Sequence, residues 1–147
     1  MAPAPVAVSA EDFGRILNMA AHDWRLALDR RLRPLGLSRA TWMLLVHVRK
    51  LDSPSQTDLA DALGIEGPSI VRLVDRLAAD DLVERRVGAD RRVRTIHLTA
   101  RGEALSAEIW RVAGHLRKEL LRDIPLADIE ATLGLLERLR VRMARLR

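Results

Sequence analysis

The order of elements in the middle third of this chain constrains its fold more than any other feature. A short helical pattern starts at Ser55 and ends at Gly64, and a second helical pattern starts at Pro68. A basic hairpin follows, with strands predicted at 83–87 and 93–98. Apolar residues of the second helix recur at i, i+3, i+4 and i+7, which predicts one buried face; they are Ile70, Leu73, Val74 and Leu77. This order predicts a winged helix-turn-helix within a mainly α fold that carries a small two- to three-stranded β wing.

The length of the chain limits its organisation. A chain of 147 residues suits one domain with a sizeable core and is too short for two independent domains. We predict a flexible tail at residues 1–9 and one domain at residues 10–147. Within that domain we expect a winged helix-turn-helix and two flanking regions of long helices, at 38–99, 10–36 and 100–147. Small polar residues are placed to cap the helices, and these are Ser9, Ser38, Ser55 and Thr99.

The flanking regions carry apolar stripes that need a partner surface. The first helix spans about 23 residues, or roughly 34 Å at the α-helical rise, and ends at Pro34 and Gly36. The last helix has apolar residues at steps of three and four, which are Leu126, Ile129, Leu133, Leu136, Leu139, Met143 and Leu146. The stripes either pack against each other within one chain or form a homodimer interface. Their length favours the homodimer, with Phe13, Ile16 and Ile129 as predicted interface residues.

The net charge of +5 favours a polyanionic partner. Arginine is preferred over lysine throughout the chain, and genome base composition alone can produce such a bias. The distribution of the charge is therefore more informative than its total. From Arg85 to Arg101, with both ends counted, there are six arginines and a single acid, Asp90, so the positive charge is concentrated in the hairpin.

Several classes of function are disfavoured by what the sequence contains. It has no cysteine, which excludes disulfides and cysteine metal sites. Its four histidines are scattered, and it shows no nucleophile elbow, phosphate-binding glycine loop or paired carboxylates. No apolar run is long enough to span a membrane, and the first nine residues do not resemble a signal peptide. We expect a cytoplasmic, nucleoid-associated protein without a cofactor or metal, and not an enzyme.

The helix that starts at Pro68 presents a face suited to DNA. Opposite its apolar stripe lie Ser69, Arg72 and Arg76, flanked by Pro68, Val71 and Asp75. Arginine can donate two hydrogen bonds to guanine O6 and N7 in a major groove, and serine is an adaptable partner. These arginines can equally be solvated charges that pair with a nearby acid. Their place between a helix-turn and a basic hairpin favours the reading of DNA.

The hairpin places several arginines around one tip. Asp90, Arg91 and Arg92 form the tip, and Arg85, Arg86 and Arg94 are close by. A two-stranded ribbon can insert an arginine into a narrow, A·T-rich minor groove. We expect the Asp90 carboxylate to hold the guanidinium of Arg92 by a charge-assisted pair. The remaining arginines would contact phosphates, which adds affinity and salt dependence but little sequence discrimination.

These segments resemble the MarR family of bacterial winged-helix regulators, and its SlyA-like branch most of all. The resemblance covers nearly the whole chain. It rests on GIEGPSIVRLVD at 64–75, DRR at 90–92 and IHLT at 96–99, and on WR at 24–25 and RLRPL at 31–35 together with Asp29 and Trp42. The Asp-x-Arg wing with its Leu-Thr strand end is the most specific of these motifs.

The resemblance implies an obligate homodimer with interleaved terminal helices on a pseudo-palindromic operator in double-stranded DNA. Two recognition helices would enter successive major grooves with centres roughly 34 Å apart. By the same resemblance Arg92 enters the minor groove and Arg72 contacts bases. Many members release DNA when a small aromatic acid binds between the dimer helices and the DNA-reading part. In this chain the predicted lining of that ligand site is His22, Trp24, Trp42 and His47, although both tryptophans are equally compatible with an ordinary core.

Two alternatives to a sequence-specific regulator remain open at this point. One is an architectural or countersilencing protein that binds DNA with low sequence preference. The other is a helical interaction module whose hairpin contacts a protein. The ratio of specific to non-specific DNA affinity separates the first alternative from a regulator, and indifference to DNA at moderate salt would indicate the second.

Overall fold

The computed structural model describes residues 9–146, which form six helices and one two-stranded antiparallel sheet. The chain order is α1 Phe13–Leu32, α2 Arg39–Lys50, α3 Gln56–Leu63, α4 Gly67–Ala79, β1 Val83–Val87, β2 Arg94–Leu98, α5 Ala100–Leu120 and α6 Leu126–Ala144. The predicted winged helix-turn-helix in a mainly α fold is confirmed. The tail predicted at residues 1–9 lies outside the described residues except for Ser9.

The start of α1 differs from its prediction. A short 3₁₀ turn, Ala10–Asp12, precedes the helix, and the Ser9 side chain makes no capping hydrogen bond to an amide. Its hydroxyl instead lies 3.4 Å from the carboxylate of Asp12, to which it donates. Arg15 Nη2 also donates to that carboxylate at 2.6 Å. The predicted cap is absent because the amide of Asp12 donates to the backbone carbonyl oxygen of Ser9 at 3.1 Å, which closes the 3₁₀ turn.

The other predicted caps are present. The Ser38 hydroxyl accepts from the amide of Thr41 at 3.2 Å at the start of α2. Ser55 and Asp58 form a reciprocal capping box at the start of α3, where each side chain accepts from the other residue's backbone amide. Gly64 ends α3 with a φ of 65°, in the left-handed region that a residue without Cβ adopts without strain.

The wing, residues 83–98, is a hairpin held against the start of α3. In its register Val83 pairs with Leu98 and Val87 with Arg94. The predicted first strand is confirmed, but the second starts one residue later than predicted, because Val93 uses its backbone groups to close the loop. An isolated bridge joins Ser55 to Thr95, so the start of α3 supplies the third, minimal strand of the wing.

The described chain divides into two compact units within α5, after Gly114. In the first unit the apolar face of α4 packs into a core with α2, α3 and the wing, which buries Leu44, Leu45, Leu59, Ile70, Val74, Leu77 and Ile96 almost completely. In the second unit α6 has no buried residue. Within residues 9–146, no helix combines the length and apolar character that crossing a membrane requires.

Candidate nucleic-acid interface

The recognition helix, α4, turns its polar side outward as the sequence predicts. Ile70, Leu73, Val74 and Leu77 are at most 7% exposed. The residues that we call the reading face, Ser69, Arg72 and Arg76, are on the opposite side, where both arginines are exposed and Ser69 is half-buried. Pro68 lies in the first turn of the helix, where its missing N–H is not needed.

One hydrogen bond organises the reading face. Arg72 Nη2 donates to the Ser69 hydroxyl at 3.3 Å, one helical turn away. This contact is weak and exposed, so it aligns the guanidinium without consuming its remaining donors. The guanidinium of Arg76 donates no hydrogen bond to any residue between 9 and 146. Both arginines therefore retain donors for an external acceptor.

The tip of the wing corrects the predicted role of Asp90. Its carboxylate accepts from the backbone amide of Arg92 at 3.0 Å and makes no ion pair with the Arg92 guanidinium. An Asp two residues before an amide is well placed to close a local turn in this way. Asp90 thus shapes the loop, and the Arg92 side chain is left unconstrained by it.

The exposed arginines of the wing differ in how far their charge is used within the protein. In the described part of the chain, the side chains of Arg91, Arg92 and Arg94 make no hydrogen bond or ion pair. Arg86 Nε donates to the carboxylate of Glu84 at 2.6 Å on the outer side of β1. The first three guanidiniums are therefore fully available to phosphates, and that of Arg86 only in part.

Arg85 has a different environment from the other wing arginines. Its Nη2 lies 2.6 Å from Asp75 Oδ1 on α4 and 2.9 Å from Gln56 Oε1 at the start of α3. Its Nε also donates to Gln56, at 3.1 Å. The prediction that Arg85 contacts DNA is not tested by these distances, but most of its donors already have protein acceptors.

The four residues predicted to line a ligand site differ in their exposure and in their partners within the chain. His22 and Trp24 are exposed on α1. Trp42 is 7% exposed, and its Nε1 donates to Asp29 at 2.8 Å. His47 Nδ1 lies 2.7 Å from the carbonyl oxygen of Met43, within the same helix. Trp42 and His47 thus have structural partners in this chain.

Asp29 joins α1 to α2. It accepts from Trp42 Nε1 and, at 2.7 Å, from Arg39 Nε. Burial raises the pKa of its carboxyl, but the hydrogen bonds from Arg39 and Trp42 and the charges of Arg39 and Arg25 outweigh that effect and lower the pKa below its ordinary value. The carboxylate therefore stays ionised at neutral pH and keeps Trp42 and Arg39 in place.

A cavity of about 480 Å³ lies beside this junction, and none of the four predicted ligand residues lines it. Its lining comes from α1, α2, α4 and the end of α3 with the turn that follows it, and consists of Arg25, Arg39, Ala40, Met43, Leu63, Ile65 and Leu73. The sequence predicts aromatic and histidine side chains for such a site, whereas the cavity combines arginines with aliphatic residues. Arg25 precedes Asp29 by four residues, which is one helical turn. This spacing is the sequence signal that could have located the cavity.

The residues predicted for a dimer interface are accessible in the single chain. Phe13 and Ile16 are each 40% exposed, and Leu133 is 61% exposed. Ile129 is half-buried.

In the part of the chain that the structure describes, no group of three or more His, Cys, Asp or Glu residues could hold a metal ion.

Comparison with known proteins gives consistent matches. The model of the MarR family matches residues 35–93, from the end of α1 to the tip of the wing. The crystal structure of transcriptional regulator PA3341 is 38% identical with a TM-score of 0.84, over 90% of this chain and 98% of that one. The apo form of MarR from E. coli is 23% identical with a TM-score of 0.73, over 91% of this chain and 98% of that one. Transcriptional regulator SlyA is 21% identical with a TM-score of 0.77, over 91% of this chain and 95% of that one. The last two likenesses concern the fold alone.

Proposed function

Because this chain belongs to the MarR family of transcriptional regulators, we propose that it binds a pseudo-palindromic operator in double-stranded DNA as a homodimer. Regulators of this family are not enzymes. The observation that carries the proposal is the arrangement of unused arginine donors. Arg72 and Arg76 on α4 and Arg92 on the wing are exposed, and their guanidiniums retain donors that no residue between 9 and 146 satisfies.

The recognition helix is the part that reads bases. A major groove admits one α-helix, and an arginine from its exposed side can donate to guanine O6 and N7 together. Arg72 suits this role because Ser69 aligns its guanidinium from one turn earlier. Pro68 and Ser69 at the start of α4 lie where a helix N-terminus favours a phosphate.

The wing supplies the second contact. Arg92 enters the minor groove beside the half-site, where a narrow A·T-rich segment concentrates negative potential. Asp90 supports this contact through the backbone, because its carboxylate fixes the amide of Arg92. Arg91 and Arg94 bind phosphates and add salt-dependent affinity.

The apolar residues that the single chain leaves exposed support dimerisation. Phe13 and Ile16 on α1, and Leu133 and Met143 on α6, are each at least 40% exposed. Apolar patches of this kind in a water-soluble protein are typical of an interface between chains. Two copies related by a two-fold axis would present recognition helices to half-sites one helical turn, roughly 34 Å, apart.

Control by a small aromatic carboxylate is part of the proposal, with a lining different from the one that the sequence predicted. The cavity next to Asp29 has an aliphatic floor that includes Met43 and Leu73, and Arg25 at its wall. The guanidinium of Arg25 donates no hydrogen bond to any residue between 9 and 146, so it can pair with a carboxylate. Because Leu73 belongs to α4, a bound aromatic ring would contact the recognition helix directly and could displace it.

Fluorescence anisotropy with two duplexes tests this function. The protein is titrated onto the duplex from its own upstream intergenic region and onto a scrambled duplex of the same composition, with and without salicylate. A specific regulator prefers the native duplex by a factor of about 10³ or more, and ligand control appears as loss of binding with salicylate. Equal binding to both duplexes would instead indicate an architectural or countersilencing protein of low specificity.

A further inference from the structure

The side chain of Arg85 connects the wing to the recognition helix through an acid at the edge of the reading face. We propose that Arg85 is a positioning residue, which fixes the wing relative to α4 and neutralises Asp75, and that it does not contact DNA itself. This inference rests on the proposed DNA-binding function, although part of its test does not involve DNA.

The strand geometry directs Arg85 inward. Side chains two residues apart on a strand point to the same face, and Val83, which precedes Arg85 by two, is only 2% exposed. The Arg85 side chain therefore extends from the face of β1 that packs on the helices. There it meets acceptors from two helices, with Nη2 at 2.6 Å from Asp75 Oδ1 and Nε at 3.1 Å from Gln56 Oε1.

This contact is the polar link between the wing and α4. The backbone of β2 is already joined to the start of α3, where the amide of Ile96 donates to the carbonyl oxygen of Pro54 at 2.8 Å. Within the described residues, no other hydrogen bond joins the strands of the wing to α4. The planar guanidinium donates in a fixed fork, so bonds to α3 and α4 together restrict the angle between the wing and both helices.

Asp75 explains why an arginine is needed at this place. It lies on α4 next to Arg76 and three residues after Arg72, and its side chain is 60% exposed. An unpaired carboxylate at the edge of a DNA-reading face would repel the phosphates. Paired with Arg85, it contributes no net charge. The positive charge of Arg85 is thus used within the protein, unlike that of Arg91 or Arg92.

A spectrum of the free protein tests, without DNA, the hydrogen bonds of Arg85 to Gln56 and Asp75, which we call the clasp. In a ¹H–¹⁵N correlation spectrum the Nε–H of Arg85 is expected to exchange slowly with water, because it donates to Gln56. The Nε–H of Arg91 is the matched control and is expected to exchange fast. Gln56→Ala should raise the exchange rate of the Arg85 proton to that of Arg91. Equally fast exchange of both protons in the unmodified chain would overturn the proposal.

A double-mutant cycle on the operator duplex tests the consequence for DNA binding. Arg85→Ala is expected to weaken binding about tenfold, since it exposes the Asp75 charge and frees the wing, and Asp75→Ala in that background should restore about threefold or more. In the unmodified background Asp75→Ala should not strengthen binding, so its effect changes sign. A direct phosphate contact by Arg85 predicts no such change, because the two substitutions would then act additively.

The salt dependence of binding separates the two roles further. Loss of one phosphate contact makes the negative slope of log K against log salt less steep by about 0.9. Arg91→Ala should show this reduction, whereas Arg85→Ala should leave the slope nearly unchanged. Arg85→Lys keeps the charge but not the fork, so positioning predicts only partial recovery. A reduced slope for Arg85→Ala together with full recovery by lysine would overturn the proposal.

Failure of this inference can be distinguished from failure of the proposed function. If the unmodified chain shows no preference for its operator, the proposed function fails, and the exchange rate of the Arg85 proton still decides whether the clasp exists. Thermal unfolding followed by circular dichroism verifies that each variant is folded before its affinity is compared.

Discussion

The backbone of Gly102 lies directly against the carbonyl group of Leu82. A Cβ atom at Gly102 would be 1.9 Å from that oxygen, which is far inside van der Waals contact. Around the same point, the Thr99 hydroxyl donates to the carbonyl oxygen of Asp81 at 2.5 Å and accepts from the amide of Gly102 at 3.0 Å. The first turn of α5 is therefore packed on the turn that connects the recognition helix to the wing.

Gly102→Ala should destabilise the fold, although alanine is the better helix former. The added methyl group must displace backbone, and overpacking of this kind costs about 1–3 kcal/mol. Urea unfolding followed by circular dichroism measures the loss. Gly67→Ala is the matched control, since a Cβ there meets nothing within 4 Å. Equal stabilities of the two variants would contradict the close packing of α5 on Leu82.

Asp29 should make stability depend on pH in the acid range. Its pKa is lowered in the folded state from the ordinary value of 3.8. The stabilising contribution is therefore complete above that value and is lost as the pH falls through the lower folded pKa. Asp29→Asn should remove this part of the pH dependence, so the free energies of unfolding of the two proteins should converge between about pH 5 and about pH 2. A constant difference across this range would mean that the charge of Asp29 does not stabilise the α1–α2 junction.

How far the sequence predicts the interface depends on the range of the contacts involved. The buried face of α4 follows from helical periodicity, so Leu73 and Val74 were assigned correctly and the outward direction of Arg72 came with them. Caps such as Ser55 and Gly64 are equally local, and they were predicted for the same reason.

Contacts between distant segments could not be predicted in this way. Arg85 meets Asp75 and Gln56 only because β1 packs on two helices, and charge alone made it equivalent to its neighbour Arg86. The cavity draws its residues from four segments of the chain, so no spacing rule groups them. For Asp90 the sequence predicts Arg92 as the partner, but it gives the wrong donor. The carboxylate accepts from the backbone amide of Arg92 and not from its guanidinium, and both donors belong to the same residue, so sequence spacing does not separate them.

Substitutions of Asp90 should separate its turn-forming role from an ionic one. Asp90→Asn keeps an oxygen that can accept from the amide of Arg92, so operator affinity should be retained or raised as a negative charge near DNA is removed. Asp90→Ala loses the acceptor and should weaken binding. Anisotropy titrations of both variants on the operator duplex make the comparison. Equal losses for both would indicate that the carboxylate charge, not the turn, positions Arg92.

Arg72→Ala should weaken operator binding by about 1–3 kcal/mol and relax the preference at one base pair in each half-site. The physical reason is the loss of two hydrogen bonds to one base. Arg72→Lys is the matched control, because it keeps the charge but not the planar fork. Titrations against duplexes with single base changes report the preference. If lysine preserved the preference at every position, Arg72 would be a phosphate contact.

Leu133→Glu on α6 should dissociate the proposed homodimer. Leucine and glutamate have similar helix propensities, so the helix is retained, while a charge is introduced on a side chain that is 61% exposed in the single chain. Burying that charge between two copies without a partner is costly, and sedimentation velocity should show half of the original mass. Ala131→Glu is the control. Ala131 lies on the face of α6 opposite the apolar stripe, so a glutamate there should leave the dimer intact. A Leu133→Glu protein that remained dimeric would place the interface on another surface, and the operator spacing of roughly 34 Å would then have no structural basis in α6.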